Sequence, residues 1–146
     1  MKIIIRAAKS SEFVDIHNLI KEFSEFIKTP EKVKITPEQM VLDEKYFKCL
    51  IATDGNVILG FATYFFAYYS WTGKAIYLDD LYVRQKYRGQ GIGSKLLDQI
   101  IEIGKTEDCY KVKWQVSNWN KKAQEFYKSR GAIIDDTEIN CDLELK

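Results

Sequence analysis

Arg88-Gly89-Gln90-Gly91-Ile92-Gly93-Ser94 is the stretch that decides the fold. An apolar, β-branched and aromatic run, Ala75-Ile76-Tyr77-Leu78-Asp79-Asp80-Leu81-Tyr82-Val83, precedes it, and a helical pattern of Leu96, Leu97, Ile100 and Ile101 follows. A strand, a loop with three alternating glycines and then a helix is a backbone device for binding phosphate. Glycines let main-chain N–H groups approach an anion, and the helix start adds unpaired donors and a favourable dipole. A tight β-to-α turn without a ligand is the plainer reading, but such a turn requires neither three glycines nor an arginine.

Working outward, residues 3–7 form an expected first strand. Ser10 or Ser11 caps a helix with apolar face Ile16, Leu19, Ile20, Phe23 and Ile27. Thr36-Pro37-Glu38-Gln39 opens a second, short helix that ends near Tyr46. Residues 48–53 and 57–69 are strands around the Asp54-Gly55-Asn56 hairpin signal. Thr72-Gly73 turns the chain into the strand 74–83, and the helix after the glycine loop runs to about Lys105. A strand over 110–116, a helix from Asn118 or Asn120 stopped by Gly131, and an alternating strand over 139–145 complete the order β α α β β β α β α β.

The 146 residues read as one domain, 1–146, with 46% hydrophobic and 29% charged residues, ordinary values for a globular chain. A net charge of +1 gives no field for nucleic acid or a membrane surface. Cys49, Cys109 and Cys141 lie far apart, without metal spacing, and read as free thiols. No signal or transmembrane run is visible, so the cytoplasm is the expected compartment and no metal is expected. His17, beside the apolar stripe of the first helix, is read as a surface residue.

Three nucleotide-binding patterns discriminate the loop's ligand. G-x-x-x-x-G-K-[ST] fails for want of the lysine. G-x-G-x-x-G fails because Ser94 stands where the third glycine belongs. The pattern [QR]-x-x-G-x-[GA] is met by Arg88, Gly91 and Gly93. With Asn120 and Tyr127 downstream, the chain resembles the GNAT superfamily of N-acetyltransferases. Tyr64-Phe65-Phe66, Trp71-Thr72-Gly73-Lys74, Tyr77-Leu78-Asp79-Asp80, Ser117-Asn118-Trp119-Asn120 and the run from Glu125 to Ala132 resemble its diamine (spermidine/spermine-like) branch. The resemblance spans nearly the whole chain. It implies an α/β (α+β) fold: a mixed, mostly antiparallel sheet, splayed at the cofactor site, with helices on both faces.

It also implies acetyl-CoA as co-substrate and a small primary amine as acceptor, a diamine, a polyamine or a thialysine-like amino acid. Gly89, Gln90, Gly91, Ile92, Gly93, Ser94 and Arg88 would hold the pyrophosphate, with solvation as the plain alternative for Arg88. Leu81, Tyr82 and Val83 would present backbone groups to the pantetheine arm, and the N–H of Tyr82 or Val83 would polarise the thioester carbonyl. Asn120 and Ala123 match positions beside the cofactor arm, although Asn120 serves equally as a helix cap.

Acetyl transfer to an amine requires a neutral amine, a donor for the carbonyl oxygen and a proton for the leaving thiolate. Tyr127 occupies the position of the family's general acid, while as a helix aromatic it also suits core packing. Asp79 stands where the related enzymes carry a glutamate thought to take the amine's proton, and it either deprotonates or binds the amine. Strand neighbours face opposite sides, so one of Asp79 and Asp80 is expected in the cleft and the other elsewhere. Trp71 would line the amine channel. The chain departs from the branch at Tyr69, where an acid is usual, and near Ile139, with Glu138 or Asp136 as possible substitutes. No activated nucleophile is visible, which favours direct attack in a ternary complex over an acyl-enzyme. A protein lysine or N-terminal acetyltransferase and a non-catalytic CoA-sensing module are the alternatives, and a homodimer is implied by analogy.

Overall fold

The computed structural model describes residues 1–146, which form two compact units, Met1–Trp114 and Gln115–Lys146. The first unit holds one sheet of five strands in sequence order: β1 (Ile4–Ala7), β2 (Lys48–Asp54), β3 (Val57–Tyr69), β4 (Gly73–Val83) and β5 (Val112–Lys113). The first three pairings are antiparallel and β4–β5 is parallel, so the sheet is mixed and mostly antiparallel as expected.

Both faces are covered because the long strands are apolar on both. Helix α1 (Phe13–Phe26) and the short α2 (Pro37–Leu42) cover one face, where Ile16, Leu19 and Met40 meet Ile51, Phe61 and Tyr82. Thr36 caps α2 by accepting from the Gln39 N–H at 3.1 Å. Helix α3 (Ile92–Thr106) covers the other face with the fully buried Leu96, Leu97 and Ile100. Its Gly104 abuts Ile76 and Val112. The second unit carries α4 (Lys121–Ser129), capped by Asn120. That helix ends in a Schellman motif: the Gly131 N–H donates to Lys128 O at 3.0 Å and the Ala132 N–H to Tyr127 O at 3.1 Å. No helix is long and apolar enough to cross a membrane.

The cap expected at Ser10 or Ser11 is absent, because both lie in a 3₁₀ turn and Glu12 precedes α1; four further expectations fail. The strand expected over 110–116 is regular only at Val112–Lys113, because β4 pairs with it only at Ile76 and Tyr77. The alternating residues 139–145 form no strand; Ile139, Leu143 and Leu145 are each more than 80% exposed, and alternation without a neighbouring edge cannot make a strand. Helix α2 stops at Leu42, and a 3₁₀ turn, Glu44–Tyr46, takes its place. His17 is buried rather than exposed, its Nε2 paired with the Ile35 carbonyl at 2.8 Å. A distant acceptor thus satisfies a ring that helical periodicity alone assigned to solvent.

Gly60 lies where β3 passes closest to the end of β4. A Cβ there would stand 2.5 Å from the Tyr82 carbonyl oxygen and 3.1 Å from Val83 Cα, both backbone atoms that cannot swing aside. Gly60→Ala is expected to destabilise the fold by about 2–3 kcal/mol, a loss that urea unfolding will measure.

Candidate active site

Strand β4 carries one residue too many for its partner. Leu78 pairs with Tyr64 and Asp80 with Thr63, so Asp79 is the extra residue of a β-bulge. Below the bulge, Tyr77 and Phe65 share the α1 face and their rings stack at 5.2 Å. Above it, Asp80 and Tyr82 occupy that same face beside Thr63 and Phe61. The expectation that Asp79 and Asp80 face opposite sides is therefore overturned: both line one cavity of about 190 Å³, together with Asp43, Met40, Phe47 and Phe65.

The two carboxylates differ in setting. Asp79 opens to solvent, while Asp80 is half-buried and accepts a hydrogen bond from Thr63 Oγ1 at 2.8 Å. Burial pushes the Asp80 carboxyl up to about 6; the charge of Asp79 adds to the rise and the Thr63 hydroxyl opposes it. Burial raises Asp79 as well, and its contact with water limits the effect. Two acids in a pocket with aromatic and aliphatic walls make a site for a cation that can also lose a proton. Thr63 and Asp43 carry no signal in the sequence; only the paired strands and α2's exit bring them to the acids.

The bulge also resets which backbone groups face outward. The Ile76 N–H donates to Lys111 O on the β5 side, whereas the Arg84 N–H donates to Leu59 O on the β3 side. Alternation therefore turns the N–H groups of Leu81 and Val83 away from β3 and turns that of Tyr82 into the β3 ladder. Because β5 pairs only with Ile76 and Tyr77, the β4 edge over residues 78–83 has no partner strand. This is the splay expected from sequence, and of the two expected amides, Val83 is the one at the open edge.

That edge leads into the glycine loop. Gly89 and Gly91 have φ of 81° and 78°, the left-handed region that only glycine enters freely. Gly91 is the cap residue of α3, and no side chain caps the helix. The N–H groups of its first turn, including those of Ile92, Gly93 and Ser94, thus keep the unpaired donors of a helix start. Exposed Gly89, Gln90 and Gly91 leave the approach open. Arg88 donates from Nε to the Val83 carbonyl at 2.8 Å, and its guanidinium lies 4.3 Å from the Phe26 ring centroid and 5.5 Å from that of Tyr82. Its terminal nitrogens make no hydrogen bond within the chain. The Tyr82 ring is itself fixed, stacked on Phe23 at 5.0 Å and donating from its hydroxyl to Glu22 at 2.6 Å. A phosphate-bearing ligand fits this loop by donor chemistry and by space.

In the second unit, Tyr127 is half-buried and tilted against Phe126 at 5.5 Å, and burial raises its phenol above the usual range near 10. It therefore holds its proton at neutral pH, as an acid must. Asn120 accepts from the Ala123 N–H at 3.2 Å, which establishes its capping role. Glu138 is exposed on the segment after α4. Trp71, 97% exposed at the β3–β4 turn, does not line the acidic cavity.

The Acetyltransferase (GNAT) family model matches residues 13–132. A thialysine N-epsilon-acetyltransferase from Sus scrofa is 37% identical over 142 residues, covering 89% of this chain and 84% of that protein. A human spermidine/spermine N(1)-acetyltransferase-like protein 1 is 36% identical over 140 residues, 88% of this chain and 20% of that protein. Among solved structures, an aminoglycoside acetyltransferase from an uncultured soil metagenomic sample, in complex with sisomicin, superposes with a TM-score of 0.81 at 20% identity, over 99% of this chain and 97% of that one. That likeness is one of fold.

The raised Asp80 carboxyl makes a prediction about stability. A folded-state value above the unfolded value contributes stability that is complete below about pH 4 and is lost as pH rises through about 6. At pH 8 the ionised acid is therefore a burden, which Asp80→Asn removes while keeping an acceptor for Thr63. The variant is expected to be more stable than the parent by about 1–2 kcal/mol at pH 8 and no more stable at pH 4. Thermal unfolding across that range measures it; an equal change at both pH values would refute the assignment.

Proposed function

Because the chain belongs to the acetyltransferase (GNAT) family, we propose that it is an N-acetyltransferase that moves the acetyl group of acetyl-CoA to a primary amine of a small molecule, within a ternary complex. The observation that carries the reading is the open β4 edge, which runs from the Asp79–Asp80 cavity directly into an uncapped, glycine-lined helix start. A pocket for a cationic amine and a cradle for pyrophosphate thus stand at opposite ends of one unpaired strand segment.

Acetyl-CoA supplies an activated acyl carbon. This chain's residues do the rest. The N–H groups of the α3 start and Arg88 bind the pyrophosphate. The outward backbone groups of Leu81 and Val83 pair with the amides of the pantetheine arm as an added strand would. The Val83 N–H polarises the thioester carbonyl as its oxygen gains charge. Asp79 and Asp80 draw in the ammonium, and Asp79, which meets water, receives its proton. The freed nitrogen bonds to the acyl carbon, the carbon–sulfur bond breaks, Tyr127 gives its proton to the sulfur, and the nitrogen's remaining surplus proton restores the Tyr127 phenol. The roles of Tyr127, Asn120 and Ala123 rest on the resemblance and on each residue's own chemistry. We read residues 1–146 as one catalytic domain, working as a homodimer in the cytoplasm.

Thiol release from acetyl-CoA over a panel of primary amines tests the proposal; tight CoA binding without release toward any amine would leave a sensing module instead. Tyr127→Phe is expected to keep CoA affinity and to lose about 10²-fold or more in turnover. Asp79→Asn is expected to raise KM for a cationic amine more than for acetyl-CoA. Single-turnover and steady-state rates across pH separate the two effects.

A further inference from the structure

We propose that Lys111 and Lys113, gathered on the ring of Tyr69, form an anion subsite that reads a carboxylate on the acceptor, so that the preferred amine belongs to an ω-amino acid and not to a diamine. The inference rests on the acetyl-transfer reading above and names the acceptor's chemistry. Strand register places the components on one face. Thr63 pairs with Asp80, Phe65 with Tyr77, Ala67 with Ala75 and Tyr69 with Gly73. Beside this row, Lys113 pairs with Tyr77, while Val112 turns with Ile76 to the opposite face, against Gly104 of α3. Lys111 and Lys113 therefore share the side of Tyr77 and Tyr69. Their ammonium groups stand 4.7 and 5.3 Å from the one Tyr69 ring centroid.

Two like charges on one ring repel each other, and the ring attracts each only weakly. Neither lysine takes part in the ion pairs Arg6–Glu12, Lys74–Glu107, Arg84–Glu22 or Lys128–Glu125. An anion between them would relieve the repulsion and engage both. Tyr77 bridges the two ends, within electrostatic reach of Asp79 and of Tyr69.

Between Cα atoms, Lys113 lies two residues and one strand from Asp79, about 8 Å by strand geometry. Its ammonium leans from there toward Tyr69, so hydrogen-bond contacts of about 3 Å at each end complete the span. An extended lysine side chain separates its amine from its carboxylate by about 7–8 Å. A diamine of that length would instead bring its second ammonium against two lysines. The acid expected at position 69 in diamine enzymes is a tyrosine here, and its neighbours have reversed the sign of the site.

The test compares L-lysine and thialysine with 1,5-diaminopentane, which has lysine's chain without the carboxylate, in steady-state thiol release from acetyl-CoA. The wild type is expected to favour the amino acids by about tenfold in kcat/KM. Charge reversal in Lys111→Glu/Lys113→Glu is expected to raise KM for the amino acids about tenfold and to lower it for the diamine, an inversion that misfolding cannot produce. Lys113→Gln is expected to move the ratio part of the way. A wild type that prefers the diamine, or variants that leave the ratio unchanged or lose both substrates alike while folded, would overturn the subsite and leave acetyl transfer standing. No release from any amine would overturn the acetyl-transfer reading and the subsite with it.

Discussion

One extra residue in β4 sets most of what the candidate site can do. With Asp79 inserted opposite the Thr63–Tyr64 step, every residue after it changes face relative to those before it. Two adjacent carboxylates then enter one cavity, although a regular strand would have separated them. The same insertion turns the amides of Leu81 and Val83 outward on the edge that β5 leaves bare. The acid pair and the outward turn of the Leu81 and Val83 amides are thus two consequences of a single irregularity. A register without it would present neither.

An irregular strand needs firm anchors, and β4 has them at both ends. Below the bulge, Ile76 and Leu78 are almost fully buried between the neighbouring strands and α3. Above it, Tyr82 is clamped by Phe23, Phe61 and Glu22, and Gly60 lets β3 close on its carbonyl. The strand therefore delivers the chain to Arg84 in a fixed position, and the glycine loop starts from there. Arg88 is held over Phe26 and Tyr82 by cation–π contact, which positions its charge while leaving its terminal nitrogens available.

What the sequence disclosed was local. Turn glycines, the Thr36 and Asn120 caps and the β–loop–α run each depend on residues within a few positions of one another, and the structure has them where expected. What it concealed was relational. A bulge exists only when two strands are compared, so Asp79 and Asp80 were assigned to opposite faces by a rule that holds for regular strands. His17 was misplaced because its acceptor, the Ile35 carbonyl, lies 18 residues away. The alternation over residues 139–145 carried the pattern of a strand without a neighbour to pair with. Lys111 and Lys113 are unremarkable in sequence and acquire meaning only beside Tyr69.

The acid pair also joins stability to chemistry. A carboxylate whose proton affinity is raised by burial is a better base at neutral pH, and by linkage the same elevation makes the ionised folded state less stable there. The cavity walls that raise Asp80 therefore carry a cost which the rest of the core must offset, and an arriving ammonium removes it by replacing lost solvation with a partner charge. In the proposed reaction, part of the amine's binding energy would come from relieving that burden on Asp80. Asp79, nearer water, is the more exposed of the two acids, and burial raises it as well. Under the acetyl-transfer proposal, that difference in depth suits Asp80 to holding a cation and Asp79 to exchanging its proton.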